Sequence, residues 1–320
     1  AFAEARDVPG CDDHGANGAV VLAVKTSDDG GRSWSKARQV ARVDTAAPGP
    51  YGRATGNPAP LVFADHIELV FSVNNLEAWS VSSSTDGESF SAPRNRTSAM
   101  KPHLPHRNWW ASGPPGGIVL PGGRAIFCAN IEDPVGHPWS FAVWSDDNGS
   151  TFHTGYDEAT GGWRSGSRLS LFGGSGECQV ARFGPGGKDL AMLIRSEVNM
   201  TSPSLHNHAI ATSKDFGETW TGFRQLPQLP GVNCQGSIVG LPPLDGTQDG
   251  PWQLAVTAPT NISTRANMTL FHSVDAEEWR QVSVLYDGPA AYSSLLAVNN
   301  SLLCLFERGD AARFGWDEYS

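Results

Sequence analysis

The chain has 320 residues, of which 39% are hydrophobic and 18% are charged. This composition provides for a sizeable core and argues against wholesale disorder. The formal net charge of −10 argues against nucleic acid or an anionic membrane as the main partner, and no apolar run approaches the roughly 18 residues that would span a bilayer.

Many short strands are predicted, because 36 glycines and 22 prolines imply many tight turns. The chain opens with the segment AFAEAR at 1–6, and Asp12 and Asp13 follow it. Since it opens on Ala1 rather than on Met, we expect the natural start of the protein to be missing. The alternating apolar run Ala19–Val24 predicts a strand.

A repeat organises the chain from this point onward. The pattern S-x-D-x-G-x-[ST]-[WF] occurs at 27–34, 145–152 and 213–220, with worn copies at 84–90 and 273–279. The closing aromatics are 56 to 68 residues apart: Trp34, Phe90, Phe152, Trp220 and Trp279. A unit of about 60 residues with four short strands is one propeller blade. Five repeats plus closing strands therefore predict an all-β, six-bladed propeller.

Each repeat is predicted to form the tip of an outer hairpin. The Asp side chain accepts backbone N–H bonds, Gly adopts a positive φ, and the aromatic packs beneath the turn. These roles are structural, so we assign the repeats no catalytic function.

The five cysteines lie far apart and include no CxxC pair, so we expect mainly buried thiols, with room for one disulfide, and no metal site. Six Asn-x-Ser/Thr sequons indicate a glycosylated protein of the secretory pathway, either secreted or lysosomal/vacuolar. The sequons begin at Asn95, Asn148, Asn199, Asn261, Asn267 and Asn299.

Further motifs lie between the repeats: AFAEAR at 1–6, GECQV at 176–180, LIRS at 193–196, TRANMTL at 264–270, AYSSL at 291–295 and LFERG at 305–309. In this order they resemble the motifs of exo-α-sialidases, both lysosomal-type and bacterial secreted enzymes, and the repeats resemble the Asp-box of that family. The resemblance implies one sialidase propeller domain over 1–320. It also implies hydrolysis of terminal sialic acids from glycoproteins, oligosaccharides and gangliosides, with retention and without a cofactor.

The resemblance also assigns roles to residues. Sialic acid bears a carboxylate on its anomeric carbon, so a neutral phenol suits the nucleophile better than a second carboxylate; sialidases use tyrosine. A free phenol has a pKa near 10 and needs a base. Tyr292 is then the nucleophile, Glu177 its base, Arg195 and Arg265 the clamp on the substrate carboxylate, and Asp12 the acid/base.

The sequence leaves several alternatives open. Asp13 competes with Asp12 for the acid/base role. The family has a third Arg, on an [FY]RIP strand before AFAE, which pairs with the residue matched here by Glu307. We expect that strand to be missing from this chain. The alternatives to a hydrolase are a glycan-binding propeller that has lost catalysis and a trans-sialidase-like transferase.

Overall fold

The computed structural model describes residues 1–6, 19–43, 53–84, 86–102, 109–132, 137–169, 174–196, 207–247, 249–298 and 300–309. Strands in the first half are β1 (Phe2–Arg6), β2 (Ala19–Val24), β3 (Arg38–Ala41), β4 (Arg53–Val62), β5 (His66–Val73), β6 (Glu77–Ser84), β7 (Arg94–Asn95), β8 (Trp110–Ser112), β9 (Ile118–Val119), β10 (Ala125–Glu132), β11 (Pro138–Ser145) and β12 (His153–Thr154). Those in the second half are β13 (Tyr156–Asp157), β14 (Gly162–Trp163), β15 (Arg168–Leu169), β16 (Ser175–Pro185), β17 (Asp189–Ser196), β18 (Asn207–Ser213), β19 (Thr221–Pro230), β20 (Ser237–Leu241), β21 (Pro251–Pro259), β22 (Ala266–Ser273), β23 (Arg280–Val298) and β24 (Ser301–Arg308). The helix α1 (Thr97–Met100) completes the described elements.

The chain is all-β, as predicted, and its strands follow two sequence patterns. In β2, alternate residues are fully buried, which is the period of a strand with one face on the core. Six consecutive residues of β5 and five of β17 are buried, as expected of strands covered on both faces. The positions of apolar and β-branched side chains therefore determine where the strands form and how far each strand is buried.

The strands pair mainly in antiparallel fashion, and β2 pairs with β4 in parallel. A seven-stranded sheet has the order β1-β2-β4-β5-β6-β7 with β3 beside β2, and a nine-stranded sheet has the order β19-β18-β17-β16-β21-β22-β23-β24 with β20 beside β21. A six-stranded sheet has the order β12-β11-β10-β8, with β15 beside β11 and β9 beside β10, and β13 pairs with β14. Four-strand meanders recur as β4–β7, β16–β19 and β20–β23.

The chain divides into two compact units. The first contains Ala1–Phe127 and Val143–His153, and the second contains Cys128–Ala142 and the described residues from Thr154 onward. The core of the first unit includes Leu69 and Phe71, each fully buried. The core of the second includes Ile210 and Leu254, likewise fully buried. The prediction of one domain over 1–320 stays a prediction.

The five repeats lie where predicted, at the turns between consecutive antiparallel strands. They connect β2 to β3, β6 to β7, β11 to β12, β18 to β19 and β22 to β23. In the third intact copy, Asp215 accepts bonds from the Ser213 hydroxyl at 2.8 Å and the Thr219 amide at 2.9 Å. The Asp residues of the other two intact copies accept the same pair of bonds.

The packing of the closing aromatics follows the prediction in part. Phe152, Trp220 and Trp279 are buried beneath their turns, and Phe90 is half-buried. Trp34 is 43% exposed. Its indole N–H still donates to the Gly31 carbonyl at 3.1 Å, as that of Trp220 does to Gly217, so the ring folds back onto its turn even where it is not covered.

Two cysteines form a disulfide, Cys128–Cys178, which joins β10 to β16. Cys234 is a buried thiol and Cys304 a half-buried one, and Cys11 lies outside the described residues. The expectation left room for this one disulfide, but of the four described cysteines only Cys234 is a buried thiol. Among the described residues no helix is long and apolar enough to cross a membrane.

Candidate active site

Glu177 and Arg195 meet at an irregularity of the β16–β17 ladder. Ser175 pairs with Ser196 and Cys178 with Ile194, so two residues of β16, Gly176 and Glu177, lie opposite the single residue Arg195. Such a β-bulge re-aims a side chain out of the regular alternation. Both side chains are largely buried, with 13% and 14% of their surface exposed.

Tyr292 lies at a second irregularity. On the β23–β24 ladder, Ala291 pairs with Glu307 and Ser293 with Phe306, which leaves Tyr292 as an additional residue. Its φ of 27° is positive, a conformation that costs energy for a bulky side chain. The surrounding contacts therefore hold the Tyr292 side chain in a direction that a regular strand would not give it.

The two irregularities bring three predicted residues together. Nη1 of Arg195 donates a hydrogen bond to Oε2 of Glu177 and another, 3.2 Å long, to Oη of Tyr292. Within the part of the chain that the structure describes, no hydrogen bond joins Glu177 directly to Tyr292, and the Arg195 guanidinium contacts both. The predicted nucleophile and its predicted base thus share one nitrogen.

Arg265, the second predicted clamp residue, belongs to the same cluster. It precedes β22, and its Cζ lies 5.5 Å from the centre of the Tyr292 ring. Its Nη2 donates to the backbone carbonyl of Asn233 at 3.0 Å, and Nε of Arg195 donates to the side-chain oxygen of the same Asn233. The two arginines are therefore linked through one residue.

Burial and charge keep the phenol protonated. Desolvation raises the pKa of Tyr292 well above 10, and the charge of Glu177 raises it further, while Arg195 and Arg265 oppose the shift. Burial also raises the pKa of the nearby Cys234 thiol. The site therefore places a neutral phenol beside the Glu177 side chain and two guanidinium groups, a set that can bind an anion and accept a proton from the phenol.

Sequence reasoning missed the segment 233–237, Asn-Cys-Gln-Gly-Ser, which connects to both bulged strands. Gln235 exchanges hydrogen bonds with the backbone of Ser293, donating at 3.0 Å and accepting at 2.9 Å. Ser237 donates to Gln179 at 2.8 Å and accepts from the Leu295 amide at 2.9 Å. The only sign of this segment in the sequence is that two amide side chains and a Ser occur within five residues, which end at the first residue of β20.

The remaining predicted residues are Asp12, its competitor Asp13, and Glu307. Asp12 and Asp13 lie outside the described residues. Glu307 is exposed on β24, directly opposite Ala291, the residue before Tyr292. The structure therefore brings together Glu177, Arg195, Arg265 and Tyr292, and it places Glu307 one pairing position from the bulge.

The chain matches one family model and is similar to proteins named sialidases. Residues 11–305 match the model of the BNR repeat-like domain family. Sialidase-3 of Bos taurus is 28% identical over 276 residues, which are 70% of this chain and 60% of that protein. A sialidase of Bacteroides fragilis (strain YCH46) is 26% identical over 280 residues, 80% of this chain and 47% of that protein. The chain thus spans about half to three fifths of these relatives.

Solved structures of similar fold include a sialidase and a trans-sialidase. A Trypanosoma rangeli sialidase with 2,3-difluorosialic acid, described as a covalent intermediate, has a TM-score of 0.72 at 19% identity, over 95% of this chain and 49% of its own. The intramolecular trans-sialidase of Ruminococcus gnavus has a TM-score of 0.69 at 16% identity, over 99% of this chain and 88% of its own. At these identities the likeness shows a propeller-like all-β fold.

Proposed function

We propose that this chain, which belongs to the BNR repeat-like domain family and is similar to curated sialidases, is a retaining exo-α-sialidase with a tyrosine nucleophile. Its substrates are the terminal sialic acids of glycoproteins, oligosaccharides and gangliosides. The observation that carries the proposal is the contact of one guanidinium, that of Arg195, with both Glu177 and Tyr292.

The same family membership supports a six-bladed propeller as the architecture. Each of the three four-strand meanders carries an Asp-box between its third and fourth strand, at β6–β7, β18–β19 and β22–β23. Two further copies lie in the same kind of turn. One blade per meander is the arrangement that this repeat predicts.

The first step of the proposed reaction is attack by Tyr292. Its Oη forms a bond to the anomeric carbon while its proton passes to Glu177. The glycosidic C–O bond breaks, and its electron pair stays on the leaving oxygen, which takes a proton from Asp12. Arg195 and Arg265 hold the sugar carboxylate through charge-assisted hydrogen bonds, so that Arg195 shares its positive charge between that ligand and Glu177.

The second step reverses these proton transfers. Asp12 accepts a proton from water, whose oxygen bonds to the anomeric carbon on the face that the leaving group left. The bond from that carbon to Oη of Tyr292 breaks, and Glu177 returns the proton to the phenol oxygen. Two displacements at one carbon give retention.

Transfer to a sugar hydroxyl instead of water is the second candidate function. It uses the same residues, and the fold likeness to an intramolecular trans-sialidase over 99% of this chain favours it. The products separate the two candidates, since a hydrolase releases free sialic acid and an intramolecular transferase releases an anhydro sugar.

Turnover of a fluorogenic sialoside by the full-length protein tests the proposal, with proton NMR to identify the anomer and the product. We expect release of the α-anomer by the wild type and no turnover by Tyr292→Phe, which lacks the nucleophilic oxygen. Tyr156→Phe is the matched control, because Tyr156 packs against Trp163 at 5.5 Å between ring centres and does not touch the cluster. Turnover by Tyr292→Phe at the wild-type rate would overturn the mechanism.

A further inference from the structure

Asn233 occupies a fixed position in the second unit. It lies in the connection between β19 and β20, at the start of the segment 233–237. Gln235, which is 1% exposed, holds this segment to Ser293 of β23, and Ser237, which is fully buried, holds it to Gln179 of β16. The strands that carry Tyr292 and Glu177 are thus both bonded to the segment that carries Asn233.

Asn233 contacts the two guanidinium groups through different oxygens. Its side-chain Oδ1 accepts from Nε of Arg195, and its backbone oxygen accepts from Nη2 of Arg265 at 3.0 Å. Since Nη1 of Arg195 is also held, by Glu177 and Tyr292, two of the three nitrogens of this guanidinium have fixed partners. Two fixed nitrogens define the plane of a rigid planar group.

A neutral acceptor suits this position. Two guanidinium groups that face one ligand repel each other, and the two neutral oxygens of Asn233, one for each group, stabilise them without cancelling their charge. A carboxylate at the same place would form an ion pair with Arg195 and compete with an anionic ligand. A planar, bidentate contact with a carboxylate depends on the orientation of the guanidinium. The side chain at 233 therefore controls how Arg195 faces such a ligand, while the backbone carbonyl of the same residue holds Arg265 beside it.

We propose that Asn233 is a positioning residue that sets the orientation and spacing of Arg195 and Arg265 for binding a sugar carboxylate. The inference rests on the proposed sialidase function and extends it to a residue that takes no part in bond making or breaking. Its effect is therefore on the affinity for the anionic ligand more than on the chemical step.

The test compares Asn233→Ala and Asn233→Asp with the wild type. Three quantities are measured: kcat and KM on a sialoside, and the Kd of the sialidase inhibitor DANA by calorimetry. Loss of one hydrogen bond to a charged group in Asn233→Ala should raise KM and Kd about tenfold or more, with a smaller fall in kcat. Asn233→Asp should raise Kd further while the Tm stays at or above that of the wild type, because it gains an ion pair with Arg195 as it loses the ligand.

Gln253→Ala is the matched control. Gln253 is a side-chain amide of β21 in the same unit, and its oxygen contacts Nε2 of His272. Its truncation removes a comparable hydrogen bond away from the arginines, so Kd should stay at the wild-type value. A merely structural role for Asn233 would instead lower Tm in proportion to any loss of binding.

The outcomes separate the two proposals. Equal Kd values for Asn233→Ala and the wild type overturn the inference while leaving the sialidase intact, and so does a loss confined to kcat. Binding of DANA without turnover by the wild type overturns the hydrolase, and the Kd series then still supports the positioning role. A wild type that neither turns over a sialoside nor binds DANA overturns both.

Discussion

Tyr292 and Glu177 owe their closeness to two β-bulges, one on each of their strands. A bulge rotates one side chain out of the regular alternation, at a local cost in backbone energy that the surrounding contacts must offset. Here those contacts include Gln235 with Ser293 and Arg195 with both site residues. The site is therefore built by irregular backbone that buried hydrogen bonds hold in place.

At the same scale, motif resemblance was enough to select Glu177, Arg195, Arg265 and Tyr292, which the structure brings together. It could not select Asn233, and it could not show that Arg195 lies between the nucleophile and its base. Ladder register and the direction of a bulged side chain depend on partners distant in sequence, such as Tyr292 and Arg195, 97 residues apart. Roles for these residues remain part of the proposal.

Replacing Glu177, the proposed base, separates effects on the chemical step from effects on ligand binding. Glu177→Gln keeps the size of the side chain but removes its basicity, so kcat should fall by about 10²–10⁴-fold. The Kd of DANA should stay equal or fall, because Arg195 loses a competing carboxylate. Steady-state kinetics and calorimetry check this, with the exposed Glu278→Gln as control. A rise in Kd with unchanged kcat would contradict the role of Glu177 as base.

At the scale of elements, the Asp-boxes were the most predictable part of the chain. Their hydrogen bonds are local; Asp215, for example, accepts from Ser213 and Thr219. One short stretch of sequence therefore encodes the whole turn. The disulfide Cys128–Cys178 was not predictable as a pair, because it joins strands 50 residues apart. Turns whose hydrogen bonds join neighbours in sequence can be deduced from the sequence. Contacts between strands that are distant in sequence can be assigned only when the fold is known.

Backbone conformation, rather than space, should make the glycine of a box necessary. Gly149 has a φ of 76°, and a Cβ there would meet only ordinary contacts, 3.5 Å or more from Phe63 and Glu68. Gly149→Ala should therefore cost about 1–2 kcal/mol of unfolding free energy, the penalty of a left-handed conformation for an L-residue.

Gly122→Ala is the control for that measurement, because nothing lies within 4 Å of a Cβ there and no positive φ occurs at this glycine. Urea-induced unfolding of both variants and the wild type gives the two free energies. Equal stabilities for Gly149→Ala and Gly122→Ala would show that the turn does not need glycine.

For the molecule as a whole, acid pH acts on two sets of groups in different ranges. Burial lowers the pKa of His208 to about 4 from 6.5, and the charge of Arg195 lowers it as well. Hydrogen bonds within the turns lower the pKa of the box residues Asp147 and Asp275 below 3.8. Both shifts make the folded state bind fewer protons than the unfolded state, so both reduce stability as pH falls.

The histidine part of this effect is testable by itself. The folded chain keeps His208 neutral, whereas the unfolded chain protonates it below pH 6.5. Stability should therefore fall as pH drops from 6.5 to about 4, by about 3 kcal/mol at the lower end. Urea unfolding at pH 7 and pH 4.5 measures the difference, which His208→Gln should reduce. The box carboxylates contribute only at still lower pH. A pH-independent free energy between 7 and 4.5 would refute the assignment.

The position of the disulfide has a consequence for how the protein is prepared. Cys178 directly follows Glu177, and its bond to Cys128 fixes the strand beside the bulge. Such bonds form in oxidising compartments and not in a reducing cytoplasm. Protein expressed in an ordinary bacterial cytosol would carry two free thiols next to the proposed base. Its specific activity would then depend on whether this disulfide has formed as well as on the sequence. The thiol content of each batch should therefore be titrated before rates are compared.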